Sequence, residues 1–223
     1  IGGLAGDALT DADFNIAIGV NSLTSDTLGS RSVAIGMGTL QTQNFTTATN
    51  SHNTAVGYHA GQEVTTGVQN TLIGALAGDS ITDANNNTAL GYAALSTNQR
   101  GAFNVAVGVG ALQTANPSGA ADTYNTAVGF DAGNAVTTGI QNTLVGGLAG
   151  DALLAAADNV AVGFEALSTE TGGQNNVAIG PRALKAQVNS SGNIYNTAVG
   201  ANAGTAVTTG IQNVLIGGLA GDA

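Results

Sequence analysis

His52 and His59 are the two histidines of the chain, close together in one neighbourhood. A catalytic or zinc-bound imidazole needs partners: a nucleophile, an orienting carboxylate, or further ligands at fixed spacing. The sequence carries no Gly-x-Ser-x-Gly elbow, no zinc-ligand spacing and no cysteine. His52 stands in the column that Tyr124 and Tyr195 fill further on, so it reads as a turn residue. Paired carboxylates would serve glycoside hydrolysis, but no pair of acids recurs as such a site would require. Asp7, Asp79, Asp151 and Asp222 do recur, with Asp11 and Asp83 four residues after the first two. Clustered carboxylates suit a hard cation, which makes Asp7, Asp11, Asp79 and Asp83 the candidates for calcium. Ala155 interrupts the series and the Gly-Gly-x-Gly-x-Asp calcium motif is absent, so solvated turn acids are the plainer reading. No catalytic residue, metal or cofactor is assigned, and no enzymatic activity is expected.

What the sequence does contain is a repeat. Asn-Thr-Ala-Val-Gly occurs at Asn53–Gly57, Asn125–Gly129 and Asn196–Gly200, with looser copies between. The last glycine of each copy falls at Gly2, Gly19, Gly36, Gly57, Gly74, Gly91, Gly108, Gly129, Gly146, Gly163, Gly180, Gly200 and Gly217. The step is 17 residues, lengthened to 20 or 21 at three places, so that four units make a super-repeat of about 72 residues. Four residues after the glycine, two leucine units alternate with two glycine units, as in Leu23, Leu40, Gly61 and Gly78. The expected organisation is one repeat array over 1–223, with blocks at about 1–72, 73–144, 145–215 and a partial 216–223. It reads as a segment of a longer fibre.

Composition agrees. Thirty-four glycines and 4% aromatics cannot furnish a bulky globular core, whereas 43% hydrophobic residues and 8% charge argue against disorder. Stacked repeats resolve the conflict, because each unit buries its apolar residues against the next. A net charge of −10 disfavours nucleic acid and keeps a long fibre soluble. No apolar run is long enough to span a membrane, so no membrane insertion is expected of this segment.

Units of 17 residues punctuated by glycine and asparagine suit one coil of a parallel β-solenoid. The strand is the triplet before each glycine. Its third residue is always apolar and its first is Ile, Val or Thr; the two share a face. The middle residue points the other way and is Ala17, Ala34, Ala55, Leu72, Ala89, Ala106, Ala127, Leu144, Ala161, Ala178, Ala198 or Leu215. A strand apolar on both sides is covered on both sides. We expect one face inside the coil and the alanine face, as core or trimer interface, against another copy of the chain. Asparagine precedes the triplet in eleven of twelve complete units and predicts left-handed turns and a ladder of stacked amides. Thirteen coils at strand spacing would make a rod of about 60 Å.

The pattern Asn-[Thr/Val]-[Ala/Leu]-[Val/Ile]-Gly-x-x-Ala, as in Asn53–Ala60 and Asn176–Ala183, resembles the head repeats of trimeric autotransporter adhesins; Ser32–Gly36 is the closest literal match. With Thr after Asn and the Thr-Thr-Gly of Thr65–Gly67, Thr137–Gly139 and Thr208–Gly210, it is still more similar to repeats of bacteriophage tail fibres. The resemblance covers the whole chain, although the unit here is longer than that of the adhesin heads. It implies a left-handed parallel β-roll, three chains side by side, and a place on a virion tail fibre or a cell surface. The expected function is the shaft of a trimeric tail fibre in host attachment, with a glycan or protein receptor bound by other parts of the fibre. A bacterial trimeric surface adhesin is the alternative. An ice- or surface-binding solenoid is more distant, since the Thr-Thr pairs recur once per super-repeat. The long units place extra residues at Gln41–His52, Gln113–Tyr124 and Ala186–Tyr195. Insertions in a solenoid map to one face, so Phe45, Pro117, Tyr124 and Tyr195 are the candidates for receptor contact.

Overall fold

The computed structural model describes residues 1–222. Among them there is no helix, and every regular element is a strand of two or three residues. The chain divides into two compact units, Ile1–Val107 with Asn116–Asp122, and Gly108–Ala115 with Thr123–Ala223. In the first, β1 (Ile16–Ile18), β3 (Val33–Ile35), β5 (Thr54–Val56), β6 (Thr71–Ile73), β7 (Thr88–Leu90) and β9 (Val105–Val107) pair in parallel, each with the next. In the second, β11 (Thr126–Val128), β12 (Thr143–Val145), β13 (Val160–Val162), β15 (Val177–Ile179), β17 (Thr197–Val199) and β18 (Val214–Ile216) do the same. Two-residue strands pair beside them: β2 (Gly29–Ser30) with β4 (Thr49–Asn50) and β8 (Gly101–Ala102) with β10 (Ala121–Asp122) in the first unit. In the second, β14 (Gly173–Gln174) pairs with β16 (Gly192–Asn193). The register sets column on column, Ala34 opposite Ala55 and Ala55 opposite Leu72. This is the all-β parallel solenoid with 17-residue coils that the repeat predicts.

The strands' two faces are the reverse of the expected pair. Ala34, Ala55, Leu72, Ala89 and Ala106 in one unit, and Ala127, Leu144, Ala161, Ala178 and Ala198 in the other, are completely buried inside their own coils. Ala17 and Leu215, in the end coils, are partly covered. The alanine column is therefore core and needs no second molecule. Alanine is there because the coil is narrow: the same interior holds Leu23, Leu40, Leu95 and Leu112, each fully buried. Where that leucine position becomes Gly61 or Gly78, Leu72 enters from the strand, and a Cβ added at Gly61 would lie 2.7 Å from Leu72 Cδ1. Gly133 and Leu144 repeat the exchange in the second unit at the same 2.7 Å. The alternation of leucine and glycine units is thus a volume-conserving trade across the core.

Coils turn at left-handed residues. The residue before each asparagine takes positive φ, from Phe14 at 61° through Tyr124 at 51° to Gln212 at 59°. Left-handed geometry belongs to this column, and the asparagines take the other expected role. Asn70 N–H donates to Asn53 Oδ1 (2.9 Å) and its own Nδ2 to Ala84 O (2.9 Å). Asn87 N–H continues to Asn70 Oδ1 (3.0 Å), and in the second unit Asn142, Asn159 and Asn176 repeat the pattern. Each buried amide satisfies its own coil and the next, so the ladder ties coils together where no water reaches. The leucines at Leu23, Leu40, Leu95, Leu112, Leu167 and Leu184 are also left-handed. That conformation costs about 1–2 kcal/mol for an L-residue, of the same size as the gain from burying a leucine side chain, about 1.5–3 kcal/mol.

Candidate functional surfaces

Burying the middle residue turns the first and third residues of every triplet outward. In β5 and β6 these are Thr54, Val56, Thr71 and Ile73; in β11 and β12, Thr126, Val128, Thr143 and Val145. Most are half-buried by their neighbours along the column, and Leu90, Val105 and Ile179 are more open, at 44%, 36% and 39%. No charged side chain stands in either column. Each unit therefore presents an uncharged, mostly β-branched sheet face, one column apolar throughout and the other shared between threonine and valine or isoleucine. Beside it, one residue past the strand glycine, stand Val20, Met37, Tyr58 and Tyr92 in the first unit, and Val109, Phe130 and Phe164 in the second, all exposed. Soluble monomers seldom leave such contiguous apolar area open.

Two of the three long coils, the first and the third, are held from within by a buried carboxylate of the preceding coil. Asp26 is fully buried; its Oδ1 accepts from Gly29 N (3.0 Å) and Phe45 N (3.2 Å), and its Oδ2 from Gln43 Nε2 (2.6 Å). Glu170 is its equivalent in the third block. Its Oε1 accepts from the backbone of Gly172 (3.1 Å), Gly173 (2.8 Å) and Asn189 (2.9 Å), and its Oε2 from Gln187 Nε2 (2.8 Å). Burial pushes the Glu170 carboxyl up, and the Gln187 amide with the N–H groups of Gly173 and Asn189 outweighs it, leaving the group below its ordinary range. Between these two blocks, Asn98 takes the position: its Oδ1 accepts from Gly101 N and its Nδ2 donates to Gly101 O, each at 2.8 Å. Ala115 then stands where the glutamine would be. Carboxylate and glutamine change together, which marks them as one device for pinning an insertion.

These anchors escape a reading of the sequence for chemistry, because an isolated acid in the unit before an insertion looks like a solvated turn residue. Their signal was the joint replacement at the super-repeat spacing: Asp26, Asn98 and Glu170 with Gln43, Ala115 and Gln187.

Of the residues picked out for receptor contact, Phe45 is 6% exposed and plugs the first insertion against Gly29, whose added Cβ would lie 2.7 Å from the ring. It is removed from the surface by its role as packing. Pro117 is half-buried over Gly101. Tyr124 and Tyr195 are each 50% exposed, in the turn before an asparagine. The four calcium candidates are not brought together, and among the described residues no cluster of three or more His, Cys, Asp or Glu could hold an ion. Asp7 accepts from Thr24 Oγ1 (2.6 Å), Asp83 faces Arg100, and Asp11 is exposed. Asp79 lies near His59 and Glu63, and burial raises its carboxyl above the ordinary 3.8. Its block equivalent Asp151, near Asp131, Glu165 and Lys185, is raised for the same reason; each keeps one buried oxygen without a partner. His59 stacks on Tyr58 at 3.9 Å, and His52 is an exposed left-handed turn residue.

No protein-family model, curated protein or solved structure matches this chain. Among the described residues no helix is long and apolar enough to cross a membrane.

Proposed function

We propose that this chain is shaft material of a homotrimeric bacteriophage tail fibre, serving host attachment by carrying a receptor-binding region rather than by chemistry of its own. One observation carries the reading: the alanine column is used up inside the coil, and the face that remains is mostly β-branched and free of charge. A face of that kind is held in water by covering it, and a copy of the same chain offers the same columns at the same spacing. Threefold association and the viral setting follow from the resemblance of the Asn-Thr-Ala-Val-Gly repeats to tail fibres. The buried asparagine ladder suits a shaft, since it makes coil-to-coil cohesion a property of every repeat.

Light scattering on the purified chain tests the proposal. The expected result is three times 21.6 kDa. A folded species at the mass of one chain would sink it.

A further inference from the structure

Two columns border the uncharged sheet face of each unit. One is the residue just past the strand glycine, and the other is the left-handed residue before each asparagine. Along them, side-chain size changes in opposite senses. Where the left-handed column carries Gln69, Gln141 or Gln212, all exposed, the glycine-side column carries Ala75, Gly147 or Gly218 in the same coil. One coil beyond the first two, the left-handed residue shortens to Asn86 or Asp158, and the glycine-side residue swells to Tyr92 or Phe164.

Nothing within one coil asks for this trade. Gly147 and Gly218 do not have positive φ. A Cβ added at Gly147 would meet nothing closer than the Phe164 ring at 3.6 Å, and one at Gly218 nothing closer than the Ala201 carbonyl oxygen at 3.9 Å, both ordinary contacts. The two bordering residues of a coil do not compensate each other either. Between Gln141 and Gly147 lies the whole of β12, whose three residues span about 10 Å, further than a glutamine side chain reaches.

From these columns we infer that the left-handed edge of the face docks on the glycine-side edge of a neighbouring copy at the same coil, with Gln141 seated over Gly147 of the partner subunit. The inference rests on the threefold assembly proposed above. Three equal faces set around a threefold axis bring one edge of each copy against the opposite edge of the next, a heterologous contact that closes after three. Rotation about that axis adds no rise, so each coil meets the same coil of its neighbour. A long side chain then finds a small one. Aromatic edges meet in the long coils, His52 on Tyr58 of the partner subunit and Tyr124 on Phe130 of the partner subunit, where rings stack. A slip by one coil, about 4.8 Å, would drive Gln141 into Phe130 of the partner subunit or Phe164 of the partner subunit. The size trade is therefore a device that sets the chains parallel and in register.

The chain has no cysteine, so introduced thiols report the contact without background. The whole chain carrying Gln141→Cys with Gly147→Cys, treated with a short bismaleimide and run on a denaturing gel, should give a three-chain band as its main product. Each single variant should stay a one-chain band, and so should Gln141→Cys with Pro181→Cys, displaced by two coils or about 9.6 Å. The left-handed column already holds residues as different as Arg31 and Asp158, so these variants should keep the wild-type circular dichroism; Gln69→Cys with Ala75→Cys repeats the test in the first unit. The inference is overturned by the absence of a three-chain band from both pairs or by equal linking in the displaced pair. A two-chain band from a single variant also overturns it, because like edge would then meet like edge. Light scattering on the same samples separates the two proposals: a mass of three chains without cross-links overturns the edge pairing alone, and a mass of one chain overturns both.

Discussion

Gly129 and Gly133 sit four residues apart and both have positive φ, yet they resist substitution for different reasons. A Cβ on Gly129 would lie 2.5 Å from the carbonyl oxygen of Gly146, so the coils themselves would have to part. At Gly133 the obstacle is Leu144 Cδ1, the movable end of a side chain, and what remains is the left-handed backbone. Gly133→Ala should therefore cost about 1–2 kcal/mol and Gly129→Ala at least about 3 kcal/mol; urea denaturation of the two variants reads the difference directly. Equal losses would mean that the close approach of backbones is not what fixes the glycine column. Glu170 gives a second test. Its folded-state affinity for protons is below the ordinary 4.5, so its stabilisation is complete above that value and is lost as pH falls through the folded value. Glu170→Gln places an NH₂ among N–H donors and should cost about 1–3 kcal/mol at pH 7. Denaturation curves should show the gap between variant and wild type closing as pH falls below 4.5. A gap independent of pH would show that Glu170 is not held as a carboxylate.

At the scale of the strand, the alternation of faces makes two neighbouring substitutions diverge. Ala127 is fully buried in its coil, and Ala127→Asp strands a charge where water cannot follow, at a cost of several kcal/mol; circular dichroism should show that chain unfolded. Val145 stands on the outward face of β12, half-buried, and Val145→Asp should keep the β signal while scattering mass drops to one chain. Were Val145→Asp to assemble as wild type, the open face would not be the interface. The sequence alone made the fold legible because identical columns state the period, the strand and the parallel register together. It did not decide which face is inside, because both are apolar, and Ala34 carries too little bulk to announce itself as core. The decision lay in a longer-range relation, the trade of Leu72 for the missing leucine at Gly61, which becomes visible only when neighbouring coils are stacked. Phe45 misled for a related reason: an aromatic in an insertion reads as a surface ring, and its packing on Gly29 depends on a loop path that no period encodes.

For the molecule as a whole, few bulky residues lie deep in each coil, and cohesion comes from many equal, local contacts. Such an array has no single large core to set its stability, so covering the β-branched face should contribute a large share of it. If folding is coupled to association of three chains, stability depends on protein concentration by mass action. Each tenfold rise then adds about 0.9 kcal/mol per protomer, or about 2 °C in Tm for a chain of this length. Calorimetry across a hundredfold concentration range at pH 7 should therefore show Tm climbing by about 4 °C. The pH matters, because at the sequence pI of about 4.1 the net charge that keeps chains apart laterally is gone, and nonspecific association would imitate the effect. Val145→Asp supplies the control: a folded monomer must show a Tm independent of concentration. If wild type and variant give the same flat line, the sheet face is stable uncovered, and the β-branched columns serve the chain without a partner.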